Sequence, residues 1–156
     1  MNVIIEDTRN QSGKHEEKHA VWRQMGVPLR RCKLPYGDYA LPPKVSVDTK
    51  ASISEIAQNI GGGKAEHKRF IAECKAAQED GCKLYVLVEN TEGIESIVDV
   101  ARWRNPRTEY SPNCIQGPRL WKAMKTIQER YGCTFMFCSP DESAEIIIDL
   151  LTAREL

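Results

Sequence analysis

Short apolar runs alternate along this chain with stretches in which apolar side chains return every three or four positions, the two periods that separate strands from helices. The runs predict strands at 2–6, 27–34, 38–41, 45–50, 83–89 and 133–138. Leu84-Tyr85-Val86-Leu87-Val88 and Thr134-Phe135-Met136-Phe137 are almost continuously apolar, which places them inside a sheet covered on both faces. Helical spacing predicts helices over 14–25, 64–80, 93–103 and 117–131, the last closed by Gly132. Two further helices announce their starts chemically. Ser52-Ile53-Ser54-Glu55 and Ser139-Pro140-Asp141-Glu142 each set a glutamate three residues after a serine, the spacing of a capping box. Apolar stripes follow, through Ile53, Ile56, Ala57 and Ile60 in one case and Ala144, Ile147, Ile148 and Leu151 in the other. Strands interleaved with helices predict an α/β fold, a single domain with a central mixed β-sheet flanked by helices.

Composition narrows the function classes more than the fold. At 156 residues the chain has the size of one domain with one well-buried core. Its 22 Lys and Arg balance 22 Asp and Glu, which excludes the broad basic field of proteins that coat DNA, so any nucleic-acid contact has to come from a local patch. No apolar run approaches a membrane span, and a strand-like segment follows Met1 where a leader would place basic and apolar residues; a cytoplasmic location with no membrane partner is the expectation. Cys32, Cys74, Cys82, Cys114, Cys133 and Cys138 form no CxxC pair and no zinc-ribbon spacing, which predicts buried free thiols.

The chemistry concentrates at Gly37-Asp38-Tyr39 and Val47-Asp48-Thr49-Lys50, predicted as neighbouring strands of one hairpin. In a strand, residues i and i+2 share a face, so Asp48 and Lys50 point one way and Thr49 the other. Mg²⁺ takes oxygen ligands in an octahedron and needs only one or two protein carboxylates, which Asp38 and Asp48 supply. Lys50 beside such an ion orients water and offsets charge growing on a phosphate, the arrangement of a PD-(D/E)xK nuclease. With Val3-Ile4-Ile5-Glu6-Asp7-Thr8-Arg9 ahead and a helix between, the order strand-Asp-x-Arg, helix, strand, Gly-Asp-Tyr, Val-Asp-x-Lys, helix resembles the XPF family of structure-selective DNA endonucleases. The likeness runs from Val3 to about Leu151 and is greatest to the stand-alone nuclease domains of bacteria and their phages.

The resemblance implies a restriction-endonuclease-like core and a Mg²⁺ or Mn²⁺ dependent endodeoxyribonuclease with Asp38, Asp48 and Lys50 catalytic. It implies a metal held by Asp38, Asp48, Asp7 and the backbone carbonyl of Thr49, with Glu16, Glu17 and Arg69 as additional site residues. DNA contacts are expected at Arg9, Lys64, Arg102, Arg104 and Arg107. The implied substrate is branched or flap DNA in repair, recombination or phage DNA processing. Implied partners are a second copy or a targeting subunit, since the domain 1–156 has no room for a separate helix-hairpin-helix domain. Two departures from the family stand out. Family members read Glu-Arg-Lys where this chain has Asp48-Thr49-Lys50, and carry an acid four residues after the lysine where this chain has Ser54, followed by Glu55. The altered acid leaves open a non-catalytic DNA-binding scaffold that keeps the nuclease fold.

Other motifs compete. His15-Glu16-Glu17-Lys18-His19 matches H-E-x-x-H, the zinc-peptidase helix, although the polar residues before it do not resemble a buried zincin helix. Gly61-Gly62-Gly63-Lys64 lacks the spacing of a phosphate loop and predicts a mobile connection between helices. Glu89, at the end of its strand, is either a site acid or a structural hydrogen-bonding group. Arg102-Trp103-Arg104-Asn105-Pro106-Arg107 is a candidate DNA-facing patch. Leu120, Trp121, Met124 and Ile127 return with helical spacing as core, or alternatively as a dimer seam.

Overall fold

The computed structural model describes residues 3–11, 13–41 and 45–152. Six strands form one mixed sheet in the order β2-β1-β3-β4-β5-β6, with β1 Ile4–Asp7, β2 Leu29–Cys32, β3 Tyr39–Leu41, β4 Val45–Lys50, β5 Lys83–Glu89 and β6 Thr134–Cys138. All six predicted strands are present, with residue 2 of the first outside the described residues; the second is trimmed to four residues. β1–β2, β4–β5 and β5–β6 pair in parallel, while β3 runs antiparallel to both of its neighbours. Five strands therefore end at one edge of the sheet and β3 begins there. Ligands of open α/β sheets bind at the carboxyl ends of the strands, and Asp7, Lys50 and Glu89 are the last residues of β1, β4 and β5.

Helices cover both faces, as the apolar runs of β5 and β6 require. On one face α2 Ile53–Gly61, α3 Lys64–Glu79 and α4 Gly117–Tyr131 pack through Ile56, Phe70, Leu120 and Met124 onto Val86, Val88 and Phe135. On the other, α1 Glu16–Gln24 and α5 Ser143–Thr152 pack through Trp22, Ile147 and Leu151 onto Tyr39, Val47 and Leu87. Strand alternation is visible in the split: Val86 and Val88 go one way, Leu87 the other. Leu120, Met124 and Ile127 are consumed by the chain's own core, so they form no seam for a second copy.

Trp22 anchors the second core. It is buried, meets Tyr39 edge-on at 4.9 Å between ring centroids, and donates through Nε1 to the Ala144 carbonyl at 2.8 Å. Trp22→Ala is expected to destabilise the fold by roughly 3–5 kcal/mol in urea unfolding, with Trp22→Phe recovering most of the packing but not the hydrogen bond.

Capping follows the sequence. Glu55 N–H donates to Ser52 Oγ and Glu55 Oε2 accepts from Ala51 N–H, while Ser139 and Glu142 form the reciprocal box in front of α5. One expectation is corrected. The helix predicted over 93–103 is only a 3₁₀ turn at Val98–Arg102, followed by another at Pro106–Glu109. Asn90 Oδ1 takes the N–H groups of Glu92 and Ile94, Gly93 sits at φ +76°, and Asp99 Oδ2 takes the N–H groups of Glu95 and Ser96. Side-chain acceptors have taken the donors a helix would use. The glycine run connects two helices as expected, α2 ending at Gly61 and α3 starting at Lys64. A Cβ at Gly61 would come within 2.8 Å of Ile115 Cγ2, so the close approach explains the glycine.

Candidate active site

Asp48 and Lys50 leave β4 on the face opposite Val47, towards α2 and α3. Both are buried, with 6% and 9% of their surface exposed. Lys50 Nζ lies 2.9 Å from Asp48 Oδ2 and 5.6 Å from the centre of the Phe70 ring. Asp48 Oδ2 is sealed from solvent, and the Lys50 ammonium is the partner the structure gives it. Burial pushes the Asp48 carboxyl up to about 8, Glu73 and Asp38 add to the rise, and Lys50 opposes it. For Lys50, burial alone favours the neutral amine, but Asp48 and then Glu73 outweigh it and raise the pKa, so the lysine stays charged.

Asp38 enters from the other strand of the hairpin, where Gly37 at φ +75° turns the chain into β3. Asp38 N–H donates to Val47 O at 2.9 Å, and Asp38 Oδ2 accepts from both the N–H and the hydroxyl of Thr49, at 2.8 and 2.6 Å. Thr49, which points away from Lys50, therefore fixes one oxygen of Asp38 and leaves the other for a ligand. The N–H and C=O of one strand residue face the same edge, so the Thr49 carbonyl is directed to the Asp38 side as well.

Asp7, Asp38 and Asp48 line one cavity of about 480 Å³ with Arg9, Arg69 and Glu73. Lys50 opens into a neighbouring cavity of about 390 Å³ that shares Arg69 and Glu73 with the first and adds Glu55 and Glu66. Asp7 is already engaged at both oxygens, by Arg9 Nε at 2.5 Å and Leu34 N–H at 3.0 Å, so it ties β1 to the segment after β2. Arg9 also donates to the Leu34 carbonyl, and its side chain is 58% exposed.

The residues fit a hard divalent cation. The acids around the cavity offer only oxygen, and Asp48 presents a buried oxygen whose partner is the Lys50 ammonium. Among the described residues no three His, Cys, Asp or Glu side chains converge as a closed cage; Mg²⁺ keeps several waters and needs no such cage.

Other expected residues lie elsewhere. Glu16 and Glu17 are exposed and line a separate cavity of about 490 Å³ with Lys14, Lys18, Glu89 and Asp141, and Glu16 pairs with Arg23. The structure does not bring them to Asp48, because the α1 start lies over the far face of the sheet. Glu89 pairs with Lys18 on that side. Lys64 is exposed at the start of α3, and Arg104 is exposed. Arg102 pairs with Asp99, whereas Arg107 donates to Gln58 Oε1, so the arginines separate. Trp103 is buried, its Nε1 donating to Glu92, and offers no ring for a base.

The zinc-peptidase arrangement is absent from this geometry. His19 Nε2 lies 2.7 Å from the buried Glu6 Oε2, which also accepts from Tyr39 OH, and Glu16 points to solvent. Glu73 and the Thr49 hydroxyl are the site residues that the sequence pattern does not single out. A signal for Glu73 exists: Glu66, Arg69, Phe70 and Glu73 fall at i, i+3, i+4 and i+7 on the face that carries the core residue Phe70.

A mixed sheet with two hairpin carboxylates and a lysine at its carboxyl edge is the core of a restriction-endonuclease-like fold. The chain belongs to the ERCC4 domain family, whose model matches residues 6–150. Among curated proteins none matches. The fold is similar to that of XPF from Aeropyrum pernix, with a TM-score of 0.66 at 21% identity over 95% of this chain and 62% of that one. A structure of XPF from Aeropyrum pernix in complex with DNA matches with a TM-score of 0.66 at 20% identity, over 97% of this chain and 64% of that one. The chain spans less than two thirds of the length of either.

Proposed function

We propose that this protein is a DNA endonuclease that hydrolyses phosphodiester bonds with Mg²⁺ or Mn²⁺ and selects branched or flap DNA. The carrying observation is the buried Asp48–Lys50 pair beside Asp38, with Asp48 Oδ2 sealed from solvent and met by the Lys50 ammonium. Family membership and the likeness to a DNA-bound XPF structure support the same reading.

Asp38 and Asp48 would hold the ion, with the Thr49 carbonyl directed to the same side, and when bound it would supply Lewis-acid polarisation of the phosphate and activation of a water. Asp48 is protonated more readily than an ordinary carboxyl, so it would have to give up that proton to act as a ligand. Lys50, kept charged, offsets negative charge as it grows on the phosphate, in a site with little water to screen it. Arg69 lines both cavities, where it would meet a phosphate approaching Lys50. Arg9, Lys64, Arg104 and Arg107 give the DNA backbone local contacts on a molecule with no net charge.

The test is cleavage of labelled duplex, single-stranded, flap, fork and four-way-junction DNA with Mg²⁺, Mn²⁺ or EDTA. Cutting is expected with either metal, favouring branched DNA, and Lys50→Ala is expected to lower the rate on the order of 10³-fold. Branched-DNA binding without cutting in any metal would replace the enzyme by a scaffold, the reading that the Asp48-Thr49 departure favours.

A further inference from the structure

Glu73 belongs to α3, a helix that contributes no residue to the hairpin, yet it lines both the cavity of Asp38 and Asp48 and the cavity of Lys50. Its Oε1 accepts the Gly37 N–H at 2.7 Å. Gly37 is buried at positive φ in the turn that delivers Asp38, and its N–H joins no strand ladder. A buried N–H without an acceptor is costly, so the turn keeps its shape only while an acceptor stands at this point. Asp38 is thus gripped twice: Thr49 holds its carboxylate through Oδ2, and Glu73 holds the backbone one residue before it.

We propose that Glu73 is a positioning residue for the divalent ion, acting through the Gly37 amide to set the Asp38 carboxylate that binds it. The inference rests on the metal-dependent reading and goes beyond it in assigning the outer support of the site to α3. Groups that hold a metal's ligands in place typically contribute 10- to 100-fold in affinity. What matters at position 73 is a hydrogen-bond acceptor at the right reach. Negative charge there is secondary, because a second carboxylate beside the buried Asp48 adds attraction for a cation but no geometry.

The two contributions separate by substitution. Glu73→Gln keeps an acceptor oxygen at the same reach and removes the charge; Glu73→Ala removes both. Mn²⁺ titration by calorimetry on the DNA-free protein gives affinity without turnover. Glu73→Ala is expected to weaken Mn²⁺ roughly tenfold or more, with Glu73→Gln within about threefold of the native protein. Thermal unfolding of each variant in EDTA reports whether the fold is intact. Should Glu73→Ala fail to fold, Glu73→Met fills the volume without an acceptor and carries the same expectation. Native-like affinity in Glu73→Ala overturns the inference alone, as does a Glu73→Gln loss as large as that of Glu73→Ala. A native protein that binds no Mn²⁺ overturns the metal reading and the inference together.

Discussion

Asp48→Asn is expected to abolish metal-dependent cutting, with a loss on the order of 10³-fold or more, and to make the metal-free protein more stable above neutral pH. Both effects have one cause. Asp48 is buried beside Asp38 and Glu73, and in the folded protein its pKa is raised to about 8. In the unfolded chain it returns to about 3.9. Between those values the folded state holds a proton that the unfolded state has lost. Stability from this group is therefore complete below about pH 4 and is lost as pH rises towards 8, by at most about 1.4 kcal/mol per pH unit.

Asparagine resembles the protonated acid and carries no such dependence. Native and variant are expected to agree near pH 4 in EDTA and to diverge by pH 8, the variant being the more stable. Excess Mg²⁺ at pH 8 is expected to restore the native protein and leave the variant unmoved, since an ion that binds only the folded state stabilises it by mass action. Urea unfolding at pH 4, 6 and 8, with and without Mg²⁺, decides the matter. Parallel pH slopes for the two proteins would rule out a proton held by Asp48 as the source of the pH dependence.

Gly37→Ala is expected to lower stability by roughly 2–4 kcal/mol and cleavage by at least about tenfold, through strain and displacement of the neighbouring ligand. A Cβ on Gly37 would sit 2.2 Å from Ser46 Oγ and 3.2 Å from the Val47 carbonyl, at a φ of +75° that L side chains rarely adopt. Ser46 has no room to yield. Its hydroxyl is buried and lies 3.2 Å from the Tyr36 carbonyl and 3.3 Å from that of Tyr39, spanning the same turn. Asp38 is the next residue, so relief of the clash has to move the carboxylate off the Thr49 donors. A double-mutant cycle isolates the clash: Ser46→Ala in the Gly37→Ala background is expected to recover part of the lost stability, though Ser46→Ala alone costs some. Simple additivity of the two losses would refute the steric cause, and urea midpoints together with cleavage rates read the result.

Secondary structure along most of the chain was legible in the residues alone, because apolar period and capping chemistry are local. Six strands, the hairpin of Asp38 with Asp48, and the shared face of Asp48 and Lys50 follow from alternation over a few residues. The 93–103 segment departs from its helical pattern because Asn90 and Asp99 take backbone donors from a neighbouring turn, a choice that periodicity does not register. The supporting shell belongs to tertiary structure alone. That Thr49 would hold Asp38, that Asp7 would be occupied by Arg9 and Leu34, and that Glu73 would reach the Gly37 amide depend on packing between elements 11 to 36 residues apart in most of these cases. The same packing sent Glu16 and Glu17 to the opposite face. A linear pattern names the groups able to do chemistry, whereas the side of the sheet on which each helix packs decides which of them meet.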